Sequence, residues 1–231
     1  MKIWTSVATW NRKKITEIVL KQLYLNKQNS FLHVSDDYST EYACEDMSKY
    51  CDNIERPLKK LGIHHLRCWE IEQFLKTDYD LVYFTDNDAF HDPSYIDRLK
   101  DIYKRYKMPV SLYNTRWHFN NTIQDDGDVI VRSTIPGISQ LYDRKMATVI
   151  LNTINQIGKI NYAWDYRMIE YLKTTTVTTA TSYVEHFGID GIHNPSKDFE
   201  RDRATNPTMY LVEKRQPIIN YLMGREFSLN I

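Results

Sequence analysis

The chain has 231 residues, with 30 Lys plus Arg against 30 Asp plus Glu and therefore no formal net charge. That balance gives no footprint for nucleic acid or an anionic membrane. A 42% hydrophobic and 13% aromatic composition, rich in Tyr (17), fits one globular domain able to bury a core. No apolar run approaches the length of a membrane span, and the N-terminus enters a strand without a signal peptide. Three cysteines, Cys44, Cys51 and Cys68, are odd in number and lack close Cys-x-x-Cys spacing. They fit a reducing compartment, so the expected location is the cytoplasm.

Ile3 to Thr9 reads as a first strand with a polar exit, Thr9-Trp10-Asn11-Arg12. Ile15, Ile18, Val19 and Leu23 follow at helical spacing. Phe31 to Ser35 reads as a second strand, ending in Asp36-Asp37. A helix is expected from about Glu41, with Ala43, Met47, Tyr50, Cys51 and Ile54 on one face and Pro57 near its end. A short segment, Trp69 to Leu75, leads to the strand Leu81-Val82-Tyr83-Phe84-Thr85, whose apolar run implies burial on both faces.

This strand ends in Asp86-Asn87-Asp88. With a period of two, Asp86 and Asp88 point to one side and Asn87 to the other. Two carboxylates converging at a strand end repel unless a cation sits between them. Hard divalent ions such as Mg²⁺ or Mn²⁺ suit the pair and usually come with phosphates. The plainer alternative is a solvated acidic turn, with Asp92 as helix cap and Pro93 at the first helical position. The following helix buries Ile96, Leu99, Ile102 and Tyr106, and Val110 to Tyr113 supplies another strand. Strands alternating with helices indicate an α/β fold, a mixed and mostly parallel sheet flanked by helices. Three strands end in polar or acidic residues at the carboxyl edge, where open α/β sheets bind ligands.

In the second half, Val129 to Val131 and Ile138 to Tyr142 are strand candidates, and Asp143 caps a helix bearing Met146, Ala147, Ile150, Leu151 and Ile154. Trp164 to Leu172 reads as a helix, and a β-branched run, Thr174 to Val184, leads into Glu185-His186-Phe187-Gly188 and Gly191-Ile192-His193. Residues 196–207 form a charged surface loop, with Lys197, Arg201 and Arg203 available to close over an anion or merely solvated. Ile218 to Phe227 is a candidate final helix.

The ordered set resembles a GT-A-type nucleotide-sugar glycosyltransferase, a metal-dependent family with a Rossmann-like domain. The set comprises Val7-Ala8-Thr9 with Asn11-Arg12, Ser35-Asp36-Asp37, Asp86-Asn87-Asp88, Gly137-Ile138-Ser139, Trp164-Asp165, and Glu185-His186-Phe187-Gly188 with His193. The resemblance implies one domain, residues 1–115 binding the nucleotide sugar and residues 116–231 the acceptor. It implies a divalent ion, Mn²⁺ or Mg²⁺, held by Asp86 and Asp88, with Asn87 near the ribose or sugar. Thr9 to Arg12 would line the nucleotide pocket, and Asp36 and Asp37 would meet the base or ribose. His186 would be the third metal ligand, its His-Phe-Gly setting being similar to the family's late His-Phe-x-Gly segment. No Lys-Pro-Trp follows, which leaves His193 as either the ligand or a diphosphate contact. Asp165 would be the general base of an inverting transfer, although the helix macrodipole favours an aspartate there anyway. Trp164 would be core or a platform for an acceptor sugar.

The donor is expected to be a nucleotide-diphosphate sugar, UDP-linked, and the acceptor a glycan hydroxyl, with a modified DNA base as a minority alternative. Two rival functions remain. A sugar nucleotidyltransferase would carry a Gly-rich phosphate loop after the first strand, where this chain has Ala8-Thr9-Trp10-Asn11-Arg12-Lys13-Lys14. A non-catalytic nucleotide-binding module would not need Asp165.

Overall fold

The computed structural model describes residues 1–157, 169, 174–188, 199–225 and 228–229. The strands are β1 (Ile3–Thr9), β2 (Phe31–Asp36), β3 (Asn53–Glu55), β4 (Leu81–Asp86), β5 (Ala89–His91), β6 (Val110–Ser111), β7 (Thr122–Asp125), β8 (Val129–Arg132), β9 (Ser139–Asp143), β10 (Thr176–Thr179) and β11 (Val184–His186). The helices are α1 (Lys13–Asn26), α2 (Cys44–Met47), α3 (Ile63–Leu75), α4 (Tyr95–Tyr106), α5 (Arg144–Ile157) and α6 (Met209–Leu222).

Nine strands form one mixed sheet in the order β3-β2-β1-β4-β9-β6-β10-β8-β7. The first four are parallel; β9 runs against β4 and β6, and β8 against β10 and β7. The chain winds outward from β1 through β2 to β3, then returns to the other side of β1 as β4. Strand order therefore reverses between β1 and β4, and a crevice opens at their carboxyl ends. Asp86 pairs with Ala8 across that point.

The period of two decides which helix each strand residue meets. Ile3, Val7, Leu81 and Tyr83 join one apolar cluster with residues of α1 and α4. Trp4, Val82 and Phe84 join a second with Ile71 and Phe74 of α3 and Ala147, Ile150 and Ile154 of α5. Asp86, of the same parity as Phe84, accordingly emerges on the α3 side.

Several expectations change. The segment after Glu41 is the single-turn α2, a 3-10 turn at Ser48–Tyr50 and then β3, so Ile54 lies in a strand. Its β-branched side chain pairs opposite Val34, and the sheet overrides the apparent helical spacing. The short segment at Trp69 is the second half of α3, which begins at Ile63. The chain does not stay extended through Asp86-Asn87-Asp88. It turns at 87–88 and re-enters a ladder as β5, which pairs antiparallel with β11. Asp92 closes a turn rather than capping α4, accepting bonds from Ser94 N at 2.9 Å and Thr208 Oγ1 at 2.8 Å, while Ser94 takes the cap position. The final helix is α6, which starts at Met209 and runs through Pro217. Asp143 does cap α5, accepting from Met146 N at 2.7 Å. Apart from Ile169, the predicted helix Trp164–Leu172 lies outside the described residues.

Among the described residues, three histidines are buried: His33, His91 and His118. Desolvation lowers the pKa of all three, His91 to about 3 and His118 to about 4. His91 Nδ1 faces Ala89 O at 2.9 Å, a contact that favours the charged ring but is outweighed by burial, and Nε2 faces Tyr83 Oη at 2.9 Å. Because the folded pKa values lie below that of an unfolded histidine, the unfolded chain takes up protons first. Stability from these residues is complete above about pH 6.5 and lost as pH falls from there towards about 4. Urea unfolding across that window should show a falling midpoint, and His91→Gln should make the fall shallower.

Candidate active site at the strand-order reversal

A cavity of about 340 Å³ opens at the β1/β4 carboxyl ends, within the range of small-molecule sites. Ala8, Thr9, Trp10 and Arg12 come from the exit of β1, and Asp86, Asn87 and Asp88 from the exit of β4. Asp37, Lys60, Gly62, Ile63, Leu66, Ile138, His186, Gly188 and Asp202 complete the wall.

Each acid of the strand-end pair has its own cation. Asp86 Oδ1 accepts from Arg67 of α3 at 2.5 Å. Arg67 is fully buried and also donates to Glu70 Oε2 at 2.7 Å and to Thr85 O at 3.0 Å. Ser6 of β1 donates to the other oxygen of Glu70 at 2.8 Å. Asp88 Oδ2 instead accepts from the Arg12 guanidinium and lies 3.3 Å from His186 Nε2. The turn at Asn87 causes this division by sending the two carboxylates to opposite groups of cations.

Asn87 is itself part of the scaffold. It accepts from Arg12 and donates to Asn11 O at 3.2 Å and Thr16 Oγ1 at 2.6 Å. The β1–α1 turn it grips holds both Asn11 (φ 54°) and Arg12 (φ 59°) in the left-handed region without a glycine. Such backbone persists only where the surroundings over-determine it. Here Asn11 N donates to Ser39 Oγ at 2.7 Å and Asn11 Oδ1 accepts from Thr40 N at 2.7 Å.

His186 reaches the site through the β5–β11 ladder, which pairs it with Ala89, and Phe187 N donates to Asp88 O at 3.0 Å. Its neighbour Glu185 is buried, accepts from Ala204 N at 3.1 Å and lies 3.7 Å from Arg215 of α6. Gly188 follows with φ +57°, and a Cβ there would stand 3.0 Å from Asp202 Oδ2, so glycine is what lets Asp202 approach.

The charge balance follows from these contacts. Burial raises the Asp86 pKa, Arg67 opposes the rise, and the nearby charge of Asp88 adds to it. Burial also works against ionised Asp88, but His186 and Arg12 outweigh it and hold this carboxyl well below the ordinary range. Desolvation would lower His186, yet Asp88, Asp202 and Asp86 together raise it.

Among the described residues, no group of three or more His, Cys, Asp or Glu side chains is arranged to hold a metal ion. The pair does offer two hard oxygens, Asp86 Oδ2 and Asp88 Oδ1, the ones not bonded to Arg67, Arg12 or His186. That donor set fits an ion whose remaining ligands are phosphate and water oxygens. His186, expected as third ligand, has its Nε2 turned to Asp88 Oδ2 at 3.3 Å in this arrangement.

The other expected residues divide. Thr9, Arg12, Asp37 and Asn87 reach the cavity wall. Asp37 accepts from Leu61 N at 2.6 Å and Gly62 N at 2.8 Å. Asn11 and Asp36 are not on that wall. Asp36 is fully buried and bonded by Thr9, Ser39 and Arg56 at the end of β2. Asp165, Trp164 and His193 lie outside the described residues.

Sequence reasoning placed Trp10 in the pocket with the rest of Thr9 to Arg12 but missed Lys60, whose ammonium sits 3.4 Å above the Trp10 ring, and also Arg67 and Asp202. Arg67 had a legible signal, an Arg–Glu pair at i,i+3 among the apolar positions Leu66, Ile71 and Phe74. Asp202 had none, because its place depends on the turn at Gly188.

The fold is that of GT-A-like structures, with the acid pair at the expected edge. No protein-family model matches the chain, and a search of curated proteins gives no match. Among solved structures, S. aureus TarS 1-349 aligns with a TM-score of 0.55 at 17% identity, over 80% of this chain and 60% of that one. The same TarS fragment in complex with UDP-GlcNAc aligns at 0.56 with 15% identity, over 80% and 58%. A197 from STIV aligns at 0.51 with 13% identity, over 81% and 86%. The chain thus spans about three fifths of the TarS fragment. No helix among the described residues is long and apolar enough to cross a membrane.

Removing one partner of a buried ion pair leaves an uncompensated charge, at a cost of about 3–5 kcal/mol. Arg67→Met should therefore destabilise the protein by about that much. The double variant Arg67→Met/Glu70→Gln should recover part of the loss, read from denaturant midpoints.

Proposed function

We propose that the protein is a glycosyltransferase moving a sugar from a nucleotide-diphosphate donor, UDP-linked, to a hydroxyl of an acceptor glycan. The observation that carries this reading is the acid pair Asp86/Asp88 at the strand-order reversal, on the wall of a ligand-sized cavity that also presents Arg12 and His186. The likeness in fold to a TarS fragment complexed with UDP-GlcNAc supports the choice of donor. The β1–α1 turn favours a transferase over a nucleotidyltransferase. It is basic and glycine-free, and its backbone is engaged with Ser39, Thr16 and Asn87.

In this reading Asp86 Oδ2 and Asp88 Oδ1 hold a Mn²⁺ or Mg²⁺ ion, which supplies Lewis-acid stabilisation of charge on the departing diphosphate. His186 takes a different role from the one the resemblance implies. From beside Asp88 it faces the diphosphate as an N–H hydrogen-bond donor, and Arg12 does the same from the other side. Asp37, Trp10 and Thr9 line the nucleotide end. Asp165 deprotonates the acceptor hydroxyl in an inverting displacement, with Trp164 and His193 lining the acceptor and diphosphate sides. Residues 1–115 supply most of the donor half, joined there by Ile138, His186, Gly188 and Asp202, and the rest of 116–231 supplies the acceptor half.

A ligand that binds only the folded protein raises its melting temperature. UDP and UDP-GlcNAc with Mn²⁺ should stabilise the wild type, and chelator should reduce the shift. Asp86→Asn and Asp88→Asn should lose the metal-dependent part of the shift while still melting cooperatively, Asp86→Asn from a lower baseline because it leaves buried Arg67 with Glu70 alone. A full metal-dependent shift in either variant would remove that residue from the ligand set. Asp165→Asn should keep donor binding and lose transfer, with turnover down by about 10²-fold or more if it is the base.

A further inference from the structure

Arg12 and Arg67 both neutralise the acid pair, but they are built differently. Arg67 is buried, locked to Glu70, Thr85 O and Asp86, and has nowhere to go. Arg12 is about a fifth exposed (21%), lines the cavity, and reaches Asp88 and Asn87 from the end of a long flexible stem. Its backbone is fixed by the left-handed turn, so only the side chain can move.

Among the described residues, Asp88 is paired with the Arg12 guanidinium, while Arg67 is shared between Asp86 and Glu70. A divalent ion added to Asp88 with Arg12 still in place would meet a like charge on the same carboxylate. A diphosphate added alone would meet Asp86 and Asp88. Both penalties vanish together if the guanidinium leaves Asp88 for the diphosphate.

Resting on the donor reading above, we infer that Arg12 is an exchangeable counter-ion. It neutralises Asp88 while the donor is absent and passes to the diphosphate when a divalent ion occupies Asp88. Metal and nucleotide are thereby coupled through one side chain, each tightening the other by the same factor.

The test measures Mn²⁺ binding by electron paramagnetic resonance without nucleotide, and UDP binding by calorimetry with Mn²⁺ or with chelator. Arg12→Gln should bind Mn²⁺ alone about tenfold more tightly, in the range of ordinary site–site coupling. The same variant should bind UDP more weakly in chelator. A residue that merely braces the loop would weaken both, so unchanged or weaker Mn²⁺ binding overturns the inference. Asp88→Asn provides an independent arm, which also serves if Arg12→Gln does not fold. With its partner neutralised, Arg12 is released, and UDP binding in chelator should become tighter than in wild type. Equal or weaker binding there overturns the inference. If UDP binds wild type under neither condition, the donor reading itself falls, a result distinct from either failure of Arg12.

Discussion

The architecture turns on compensated charge at the meeting of two parallel strands. Asp86 and Asp88 leave β4 beside the exit of β1, where burial alone would push protons onto them. Arg67 from α3, Arg12 from the β1–α1 turn and His186 from β11 reach this point from separate parts of the chain. Each arrival demands local structure. Arg12 needs two consecutive left-handed residues, Arg67 needs a buried Glu70, and His186 needs the β5–β11 ladder. Buried ion pairs of this kind add little net stability, because desolvation consumes much of the Coulombic gain. Their effect is to fix where carboxylate oxygens face the cavity.

Much of the frame was legible because its signals are local. The apolar run of β4, the alternation of strand and helix and the acidic strand ends report burial and topology directly. The cap at Asp143 was equally readable, being a contact three residues long. What escaped depends on contacts distant in sequence. Ile54 joins a strand because Val34 lies beside it. Asp36 ends β2 bonded to Arg56, 20 residues away, a contact that no local pattern announces. The turn at Asn87 defeats the assumption of unbroken extension, since Thr16 and Arg12 pull its amide towards α1.

The same turn explains why two acids of one short motif behave differently. Asp86 inherits the parity of β4 and is delivered to the α3 side. Asp88 falls after the turn and is delivered to α1 and β11. Their pKa shifts run in opposite directions as a result, and of the two arginines it is Arg12, on Asp88, that lines the cavity. Tight spacing in sequence has been converted into two distinct electrostatic environments.

The sheet also ends abruptly at both borders. At one, β7 slips register against β8 between Thr122 and Gln124 and then runs into Asp125 and Asp126. At the other, β3 is three residues long and is followed by Arg56 and Pro57. Irregular pairing, charge and a missing amide donor all discourage a stranger's strand from extending the ladder. The outermost residues of the nine-stranded sheet thus carry the features that work against edge-to-edge pairing.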